Sequence, residues 1–325
     1  MPIFSGTEEN IKKAAKHLKQ DELVAFATET VYGLGANALS PEACEKIFLA
    51  KRRPKYDPLI VHIAEMAQLD DLVSKMPKVA LELAEAFWPG PLTIVFNKSE
   101  SIPDLITAGL DTVAIRMPAH PLALALLSEA QIPVAAPSAN PFGYLSPTSA
   151  EHVKSQLGDE VEIILDGGEC DWGIESTIVD CSSGNAVLLR RGGITAEDIE
   201  AVTGSLSFGK AVLERPLAPG QLASHYAPNT PLTILQEGEM PRLKEGERIG
   251  FLAYGESNPS FNCEVIEYLA TDETDLKEIA HNLFSALHRL DNLGLDALYI
   301  NDLPREGLAN AIMDRLLKAA ARRSK

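Results

Sequence analysis

Two groups of basic side chains in the first two hundred residues have the chemistry to hold an anion. The first lies in KRRPKYD at 51–57, and the second is the pair Arg190 and Arg191. Lys51 and Arg53 are two positions apart, so they diverge on a helix, but in a proline-held turn both can face one phosphate or carboxylate. Alternatively, they only offset the dipole at the carboxyl end of a helix. The spacing alone leaves both interpretations open.

Neutral hydrogen-bonding groups occur in two further segments. TETVYGLG at 28–35 offers two threonine hydroxyls, a carboxylate and two glycines that let a ligand approach the backbone, whereas APSANPFGYLSPT at 136–148 has hydroxyls and an amide suited to phosphate or amino-acid recognition. The structural alternatives are a polar strand-to-helix turn and an Asx or Ser turn before a capped helix. His62, in the strand-like LIVHIA, is by itself most often a satisfied strand histidine.

The segment GLGANA at 33–38 matches the glycine pattern of dinucleotide-binding folds, but its surroundings do not. Five residues, TETVY, separate the preceding strand from the first glycine, and KRRPKYD stands where an acidic residue would follow a second strand. A NAD site is therefore a weak alternative. The sequence has no phosphate-binding loop of the G-x-x-x-x-G-K-[ST] type, so any ATP must bind in another geometry.

Composition indicates a folded protein with an acidic surface. The 325 residues are 46% hydrophobic and 23% charged, and the net charge is −17. Such a charge disfavours stable binding to nucleic acid, so an anion site must be local. The four cysteines show no zinc-ligand spacing, and the sequence has neither a signal-peptide pattern nor an apolar run that would span a membrane. We expect a cytoplasmic protein without a membrane partner.

Helical and strand patterns alternate over the first two hundred residues, which predicts an α/β fold. Ser40, Thr148 and Thr195 are the predicted N-caps of three helices. Proline and glycine then accumulate, and another strand and helix pattern follows. We therefore predict a catalytic domain at 1–205, a linker or lid at 206–229 and a C-terminal α/β domain at 230–325.

Seven segments occur together and in a fixed order, namely TETVYGLGANAL, KRRPKYDPLIVHI, WPGPLTIVF, TAGLDTVAIRMPAHP, APSANPFGYLSPT, IESTIVD and LLRRGGIT. Their order and spacing resemble the YrdC-like domain of L-threonylcarbamoyladenylate synthases. HYAPNTPL at 225–232, followed by a second α/β unit, is similar to the two-domain branch of that family. The resemblance implies a YrdC-like twisted mixed sheet flanked by helices and a smaller, Rossmann-like C-terminal α/β domain.

The resemblance also implies an activity. Members of this family are nucleotidyltransferases that join L-threonine, bicarbonate and ATP into L-threonylcarbamoyl-AMP and release pyrophosphate, the first step of threonylcarbamoyl-adenosine modification of tRNA. ATP enters as a substrate, Mg²⁺ is expected with it, and no permanently bound metal is implied. The expected downstream partners are tRNA threonylcarbamoyl transferase proteins. Direct binding of tRNA or double-stranded RNA stays open.

The same resemblance implies a set of site residues. Lys51 and Arg53 are expected to be catalytic. The expected L-threonine site consists of Thr30, His62, Arg116, the backbone of Ala136, and Ser176. The expected ATP site consists of Arg53, Asp57, Thr112, Ser138, Asn140, Ser146, Arg190 and Tyr226.

The residue types suit these roles. Arg116 can pair bidentately with the carboxylate of threonine, and Arg53 and Arg190 can neutralise phosphate charge. Two positions depart from the family pattern: Ala27 replaces a common proline, and Asp57 stands where asparagine is frequent. A carboxylate beside triphosphate needs compensation, which we expect from Mg²⁺ or Lys55.

Two other functions remain as alternatives. One is a module that binds double-stranded RNA or the ribosome, which the acidic composition disfavours. The other is carbamoyl transfer to another acceptor, as in hydrogenase-maturation proteins with a related domain, whose zinc-finger and acylphosphatase segments do not occur in this sequence. Tyr226 lies in the linker, so the second domain is expected to act as a lid over the nucleotide.

Overall fold

The computed structural model describes residues 2–209, 216–222, 225–255 and 259–321 of this chain. Its strands are β1 (Ile3–Ser5), β2 (Val24–Phe26), β3 (Gly33–Asn37), β4 (Ile60–His62), β5 (Leu92–Asn97), β6 (Thr112–Arg116), β7 (Val134–Ala135), β8 (Ile163–Asp166), β9 (Thr177–Asp180), β10 (Val187–Arg190), β11 (Ser207–Phe208), β12 (Leu232–Leu235), β13 (Ile249–Ala253), β14 (Val265–Tyr268) and β15 (Ala297–Asn301). Its helices are α1 (Glu8–Lys19), α2 (Pro41–Lys51), α3 (Leu69–Leu72), α4 (Lys78–Phe87), α5 (Asp104–Thr107), α6 (Pro121–Ala130), α7 (Ala150–Leu157), α8 (Ala196–Thr203), α9 (Leu276–Asp291) and α10 (Ala309–Ala320).

The first eleven strands form one mixed sheet in the order β1-β8-β2-β3-β7-β4-β6-β5-β9-β10-β11. Successive residues of a strand point to opposite faces, and β2 shows the result. Ala25 belongs to the core cluster that contains Ile47 of α2 and Leu83 of α4. Phe26 belongs to the cluster formed with Leu18 of α1 and Leu126 of α6. Helices thus cover both faces, and the predicted mixed sheet flanked by helices is confirmed.

A second, parallel sheet follows in the order β12-β15-β13-β14. Helix α9 buries Ile279, Leu283 and Leu287, which recur at helical spacing, and α10 buries Ile312 and Leu316 in the same cluster. The smaller C-terminal α/β fold expected from the sequence is therefore confirmed. Strand β12 was not among the predicted elements.

The glycine-rich segment 33–37 is strand β3, paired antiparallel with β2. The alternative of a strand-to-helix turn at 28–35 is therefore wrong, because this segment leads from one strand into another. A Cβ on Gly35 would lie 2.9 Å from the Phe26 ring and 3.0 Å from Val134. Only glycine therefore allows β3 to pack this closely between its neighbours. The arrangement also removes the strand–turn–helix context that a dinucleotide site requires.

The helix starts largely follow the sequence signals. Ser40 and Thr195 cap α2 and α8, as predicted, by accepting hydrogen bonds from the third backbone amide of each helix. The prediction for α7 is wrong by one residue. Ser149 caps this helix, because the Thr148 side chain is buried and contacts Ser285 and His152 instead.

Within the described residues, no helix is long and apolar enough to cross a membrane. The predicted linker at 206–229 is described only in part, since 210–215 and 223–224 lie outside the described residues. The same holds for 256–258 and 322–325 in the C-terminal stretch.

The Thr195 cap provides a test of the local fold. We expect Thr195→Ala to lower the free energy of unfolding by about 1 kcal/mol, because the amide of Asp198 and the Asp198 carboxylate both lose a partner. Urea denaturation measures this change. Glu200→Ala, at an exposed position of the same helix, is the control and should stay within about 0.5 kcal/mol of wild type. An unchanged stability of Thr195→Ala would contradict the capping role.

Candidate active site

A cleft opens where the central strands of the large sheet meet Pro219, Gly220, His225 and Tyr226. Three buried arginines, two buried histidines and a buried tyrosine lie in its wall. The lining residues are Thr28, Thr30, Val31, Gly33, Arg53, Ile60, His62, Arg116, Ala136, Pro137, Ser138, Glu175, Ser176, Arg190, Pro219, Gly220, His225 and Tyr226.

Arg116 ends strand β6 and is held on three sides. Its Nη1 donates to Thr30 Oγ1 at 2.8 Å, its Nε donates to the carbonyl of Gly90 at 3.2 Å, and its Nη2 lies 2.6 Å from Glu29 Oε1. Burial would raise the pKa of Glu29, but the Arg116 guanidinium outweighs it, and the pKa is lowered. The carboxylate is therefore charged and fixes Arg116 beside the cleft.

His62 stands next to Arg116, because the parallel register of β4 and β6 pairs these two residues. Burial, and then the nearby guanidinium, lowers the pKa of His62 to about 3. The imidazole is neutral at pH 7, so it adds no charge to the cleft. Its Nδ1 is buried and has no hydrogen-bond partner in the described part of the chain, which makes it available to a ligand.

Arg53 reaches the cleft from the turn after α2. Arg52, at φ 52°, ends the helix in a left-handed conformation. Arg53 then donates to the carbonyls of Asp57 and Pro58 and pairs with the Asp57 carboxylate at 2.9 Å. Burial raises the pKa of Asp57, although Arg53 opposes the shift. The expectation that Lys55 compensates Asp57 is wrong, because Lys55 pairs with Glu45 at the surface.

Lys51 does not line the cleft with Arg53. Its ammonium group is buried and donates to the carbonyl oxygens of Ser138 and Asn140. The Asn140 amide in turn donates to the carbonyls of Pro141 and Tyr144 at 2.9 Å each. Lys51 and Asn140 therefore shape the loop that presents Ser138, whereas Arg53 itself faces the cleft.

Arg190 ends strand β10 on the opposite wall. Its Nε and Nη2 donate to the carbonyl and hydroxyl of Ser176 at 3.0 Å each, and its Nη1 donates to the carbonyl of Pro219 at 3.2 Å. The Ser176 hydroxyl also contacts Thr93 Oγ1 at 2.7 Å. These bonds fix both Arg190 and Ser176 at the cleft.

Tyr226 closes the cleft from the other side. Its backbone has φ 60°, and its ring packs against His225 and Phe284. The hydroxyl is buried without a hydrogen-bond partner among the residues that the structure describes. A ligand oxygen in the cleft would supply one.

Two further predicted residues lie elsewhere. Thr112 begins β6, four residues before Arg116, so it lies roughly 13 Å away along the strand and does not line the cleft. Ser146 is buried behind the wall, where its hydroxyl donates to Glu175. By contrast, Thr30, Ala136 and Ser138 lie in the wall.

Sequence reasoning did not assign a role to three residues that the structure brings to the site: Glu29, Glu175 and His225. Each is the chain neighbour of a residue that was predicted, and this adjacency is the signal that would have found them. His225 is buried, and burial together with Arg53 and other cations lowers its pKa, so it too is neutral.

Known proteins resemble both parts of this chain. Residues 16–192 match a family described as Sua5/YciO/YrdC, telomere recombination, and 194–321 match the C-terminal domain of threonylcarbamoyl-AMP synthase. The chain is 43% identical to the threonylcarbamoyl-AMP synthase of Pyrococcus abyssi, over 97% of this chain and 95% of that protein. It is 44% identical to the Bacillus subtilis protein of the same name, over 98% and 95%.

A solved structure leads to the same relatives. Sua5 of Pyrococcus abyssi, in a crystal structure complexed with L-threonine, superimposes with a TM-score of 0.91 at 42% sequence identity. The superposition covers 98% of both chains. The similarity therefore includes both sheets.

The buried neutral His62 makes stability depend on pH. The unfolded chain takes up a proton as pH falls through about 6.5, whereas folded His62 resists protonation down to a pKa of about 3, so acid favours unfolding in this interval. From pH 7 to pH 5, we expect the free energy of unfolding to fall by about 2 kcal/mol less in His62→Asn than in wild type. Urea denaturation at both pH values measures the difference.

The control for this measurement is His281→Asn, at a histidine near the surface. It should follow the wild-type pH dependence. An acid sensitivity of His62→Asn equal to that of wild type would show that His62 is not held neutral.

Proposed function

Since the chain belongs to the threonylcarbamoyl-AMP synthase family and makes L-threonylcarbamoyl-AMP from L-threonine, bicarbonate and ATP, we propose that this reaction takes place in the cleft between Arg53, Arg116 and Arg190. The observation that carries the proposal is the concentration of buried cations in one small cleft of a protein with net charge −17. Two anions, an amino-acid carboxylate and a triphosphate, are the ligands that such a site suits.

The Arg116 side of the cleft binds threonine in this proposal. Arg116 receives the carboxylate, and neutral His62 and the hydroxyls of Thr30 and Ser176 provide hydrogen bonds to the polar groups of threonine. The backbone of Ala136 borders the same space. The neighbouring Glu29 limits the net positive charge, so one carboxylate is enough to satisfy this half.

The Arg53 and Arg190 side binds ATP. Both guanidinium groups face the cleft, Ser138 offers a hydroxyl, and the buried Tyr226 hydroxyl lacks a partner within the described residues. In this arrangement Asp57, Lys51, Asn140 and Ser146 act from behind the wall, by holding Arg53, the Ser138 loop and Glu175. A direct contact of Thr112 with ATP finds no support in its position at the far end of β6.

The proposed chemistry needs no covalent enzyme intermediate. The threonine amine forms a carbamate, either with bicarbonate and loss of water or with CO₂ and loss of a proton. One carbamate oxygen then attacks the α-phosphorus of ATP, and the bond between the α-phosphorus and the leaving pyrophosphate breaks. Arg53 and Arg190 stabilise the phosphate charge as it moves to the leaving group, and the cleft holds the two reactants together. We place both residues, rather than Lys51, in contact with the reacting groups.

Mg²⁺ fits this proposal as a companion of the nucleotide. It would shield the phosphate oxygens when bound. The described residues contain no group of three or more His, Cys, Asp or Glu side chains that would hold a metal ion, and Asp57 is engaged by Arg53. We therefore propose that ATP itself carries the ion to the site.

Pro219, Gly220, His225 and Tyr226 form one wall of the cleft, and we propose that these residues move to admit and release the nucleotide. Closure would exclude water from an adenylate that hydrolyses readily. The product would then pass to a tRNA threonylcarbamoyl transferase protein.

Pyrophosphate release tests the assignment of Arg116. Wild type should release pyrophosphate from ATP only when threonine and bicarbonate are both present. We expect Arg116→Ala to raise the KM for threonine at least about tenfold, a loss of about 1.4 kcal/mol or more, while the KM for ATP changes less than about threefold. The reason is that the carboxylate loses its bidentate partner.

Arg289→Ala is the matched control, because it removes an arginine from an exposed ion pair with Glu267 in the second domain. Its kinetics should equal those of wild type. A wild-type KM for threonine in Arg116→Ala would mean that the carboxylate is bound elsewhere.

A further inference from the structure

Helix α10 of the second domain places a fully buried arginine behind the ATP side of the cleft. Arg315 Nε lies 2.6 Å from Glu175 Oε2, its Nη1 lies 2.6 Å from Asp314, and its Nη2 donates to the carbonyl of Arg191 at 2.9 Å. Its guanidinium also stacks over the Tyr226 ring at 5.1 Å. One side chain thus joins the C-terminal helix to the cleft wall 140 residues earlier in the chain.

Glu175 presents a difficulty that Arg315 resolves. Its side chain lines the cleft and is 5% exposed, so a carboxylate stands in the wall of a site for anions. Burial would raise the pKa of Glu175, but Arg315 and then Arg190 outweigh it and the pKa is lowered, so the group is charged. Ser146 donates to its other oxygen. Both carboxylate oxygens therefore have a donor behind the wall.

Arg190 differs from the other two arginines of the cleft. Arg53 and Arg116 pair with carboxylates at 2.9 and 2.6 Å. In the described residues, Arg190 has no carboxylate within ion-pair distance and bonds only to oxygens of Ser176 and Pro219. Its charge is the one least compensated, although Glu175 immediately precedes its partner Ser176.

We infer that Arg315 is a positioning residue for ATP, which holds the Glu175 carboxylate behind the wall and thereby keeps Arg190 free to bind phosphate. The inference rests on the proposed function, since it takes the Arg190 side to be the nucleotide site. Without Arg315, Glu175 is a buried anion that still interacts electrostatically with Arg190, which bonds to its chain neighbour Ser176. An ion pair between them would neutralise Arg190 and place negative charge where phosphate binds.

A purely structural role is the main competing explanation. Helix α10 also holds two residues of the cleft wall directly. Lys318 Nζ donates to the carbonyl of Gly220 at 2.7 Å, and the Lys318 carbonyl accepts from the amide of His225 at 3.3 Å. A loss of Arg315 that merely disturbed this packing would affect the site regardless of the charge on Glu175. The charge on Glu175 therefore distinguishes the two explanations.

The test is a double-mutant cycle measured by calorimetric titration of the full chain with α,β-methylene-ATP and Mg²⁺, and separately with L-threonine. We expect Arg315→Met to weaken binding of the nucleotide at least about tenfold and that of threonine less than about threefold. In a chain that already carries Glu175→Gln, adding Arg315→Met should weaken nucleotide binding less than about threefold, because no carboxylate remains to neutralise Arg190. Arg305→Met, from an exposed ion pair in the same domain, is the control and should bind as wild type does.

Three results would overturn the inference: unchanged nucleotide affinity in Arg315→Met, an equal loss for both ligands, or a full loss that persists with Glu175→Gln. If Arg315→Met does not fold, Arg315→Lys replaces it, because lysine keeps the charge but not the three-way contact. An intermediate loss, cancelled by Glu175→Gln, then supports the inference, and a loss that is not cancelled overturns it. Pyrophosphate release by wild type tests the proposed function separately.

Discussion

Guanidinium groups lose hydration when they are buried, and the way this cost is offset determines the whole site. Arg116 and Arg53 each have one adjacent carboxylate, from Glu29 and Asp57. Arg190 has carbonyl and hydroxyl oxygens instead. Burying a charge is tolerated only with such partners, and the attraction of the cleft for anions is what remains after them. In the proposed function, this local balance is what selects anionic substrates in a protein of net charge −17.

The fold brings these groups together from distant positions. The register of β4 and β6 sets His62 beside Arg116, and the loop of the β2–β3 hairpin carries Thr30 to the same guanidinium. Strand β10 supplies the opposite wall through Arg190. The second domain supports the site from behind, because Arg315 of α10 contacts both Glu175 and the Tyr226 ring. The site is thus complete only when both sheets are in place.

Much of this was visible in the sequence. The order of the strands predicted an α/β protein, and the basic segment at 51–57 and the hydroxyl-rich loop around Ser138 predicted an anion site. The family resemblance named half of the residues that line the cleft. The local sequence pattern could not show in which direction each basic side chain points. Lys51 and Arg53 have the same charge and lie two positions apart, yet the Lys51 side chain turns inward to two carbonyl oxygens.

Contacts between distant segments were equally hidden. The pair of Glu175 and Arg315 spans 140 residues, and no periodicity reports such a distance. Strand β3 was hidden for a related reason. Glycine is depleted in strands, so its sequence does not predict one, and tertiary packing against Phe26 overrides that preference. The cap of α7 lies at Ser149 because Thr148 is drawn into contacts with α9.

The central claim is that one cleft holds the threonine carboxylate and the triphosphate side by side. A crystal structure with L-threonine and α,β-methylene-ATP tests it most directly. The account predicts the carboxylate on Arg116, phosphate oxygens on Arg53 and Arg190, and the amine of threonine separated from the α-phosphorus by no more than the space of one carboxyl group. The account would be contradicted if the two ligands bound in separate places, or if no ligand lay beside Arg116 or beside Arg53 and Arg190.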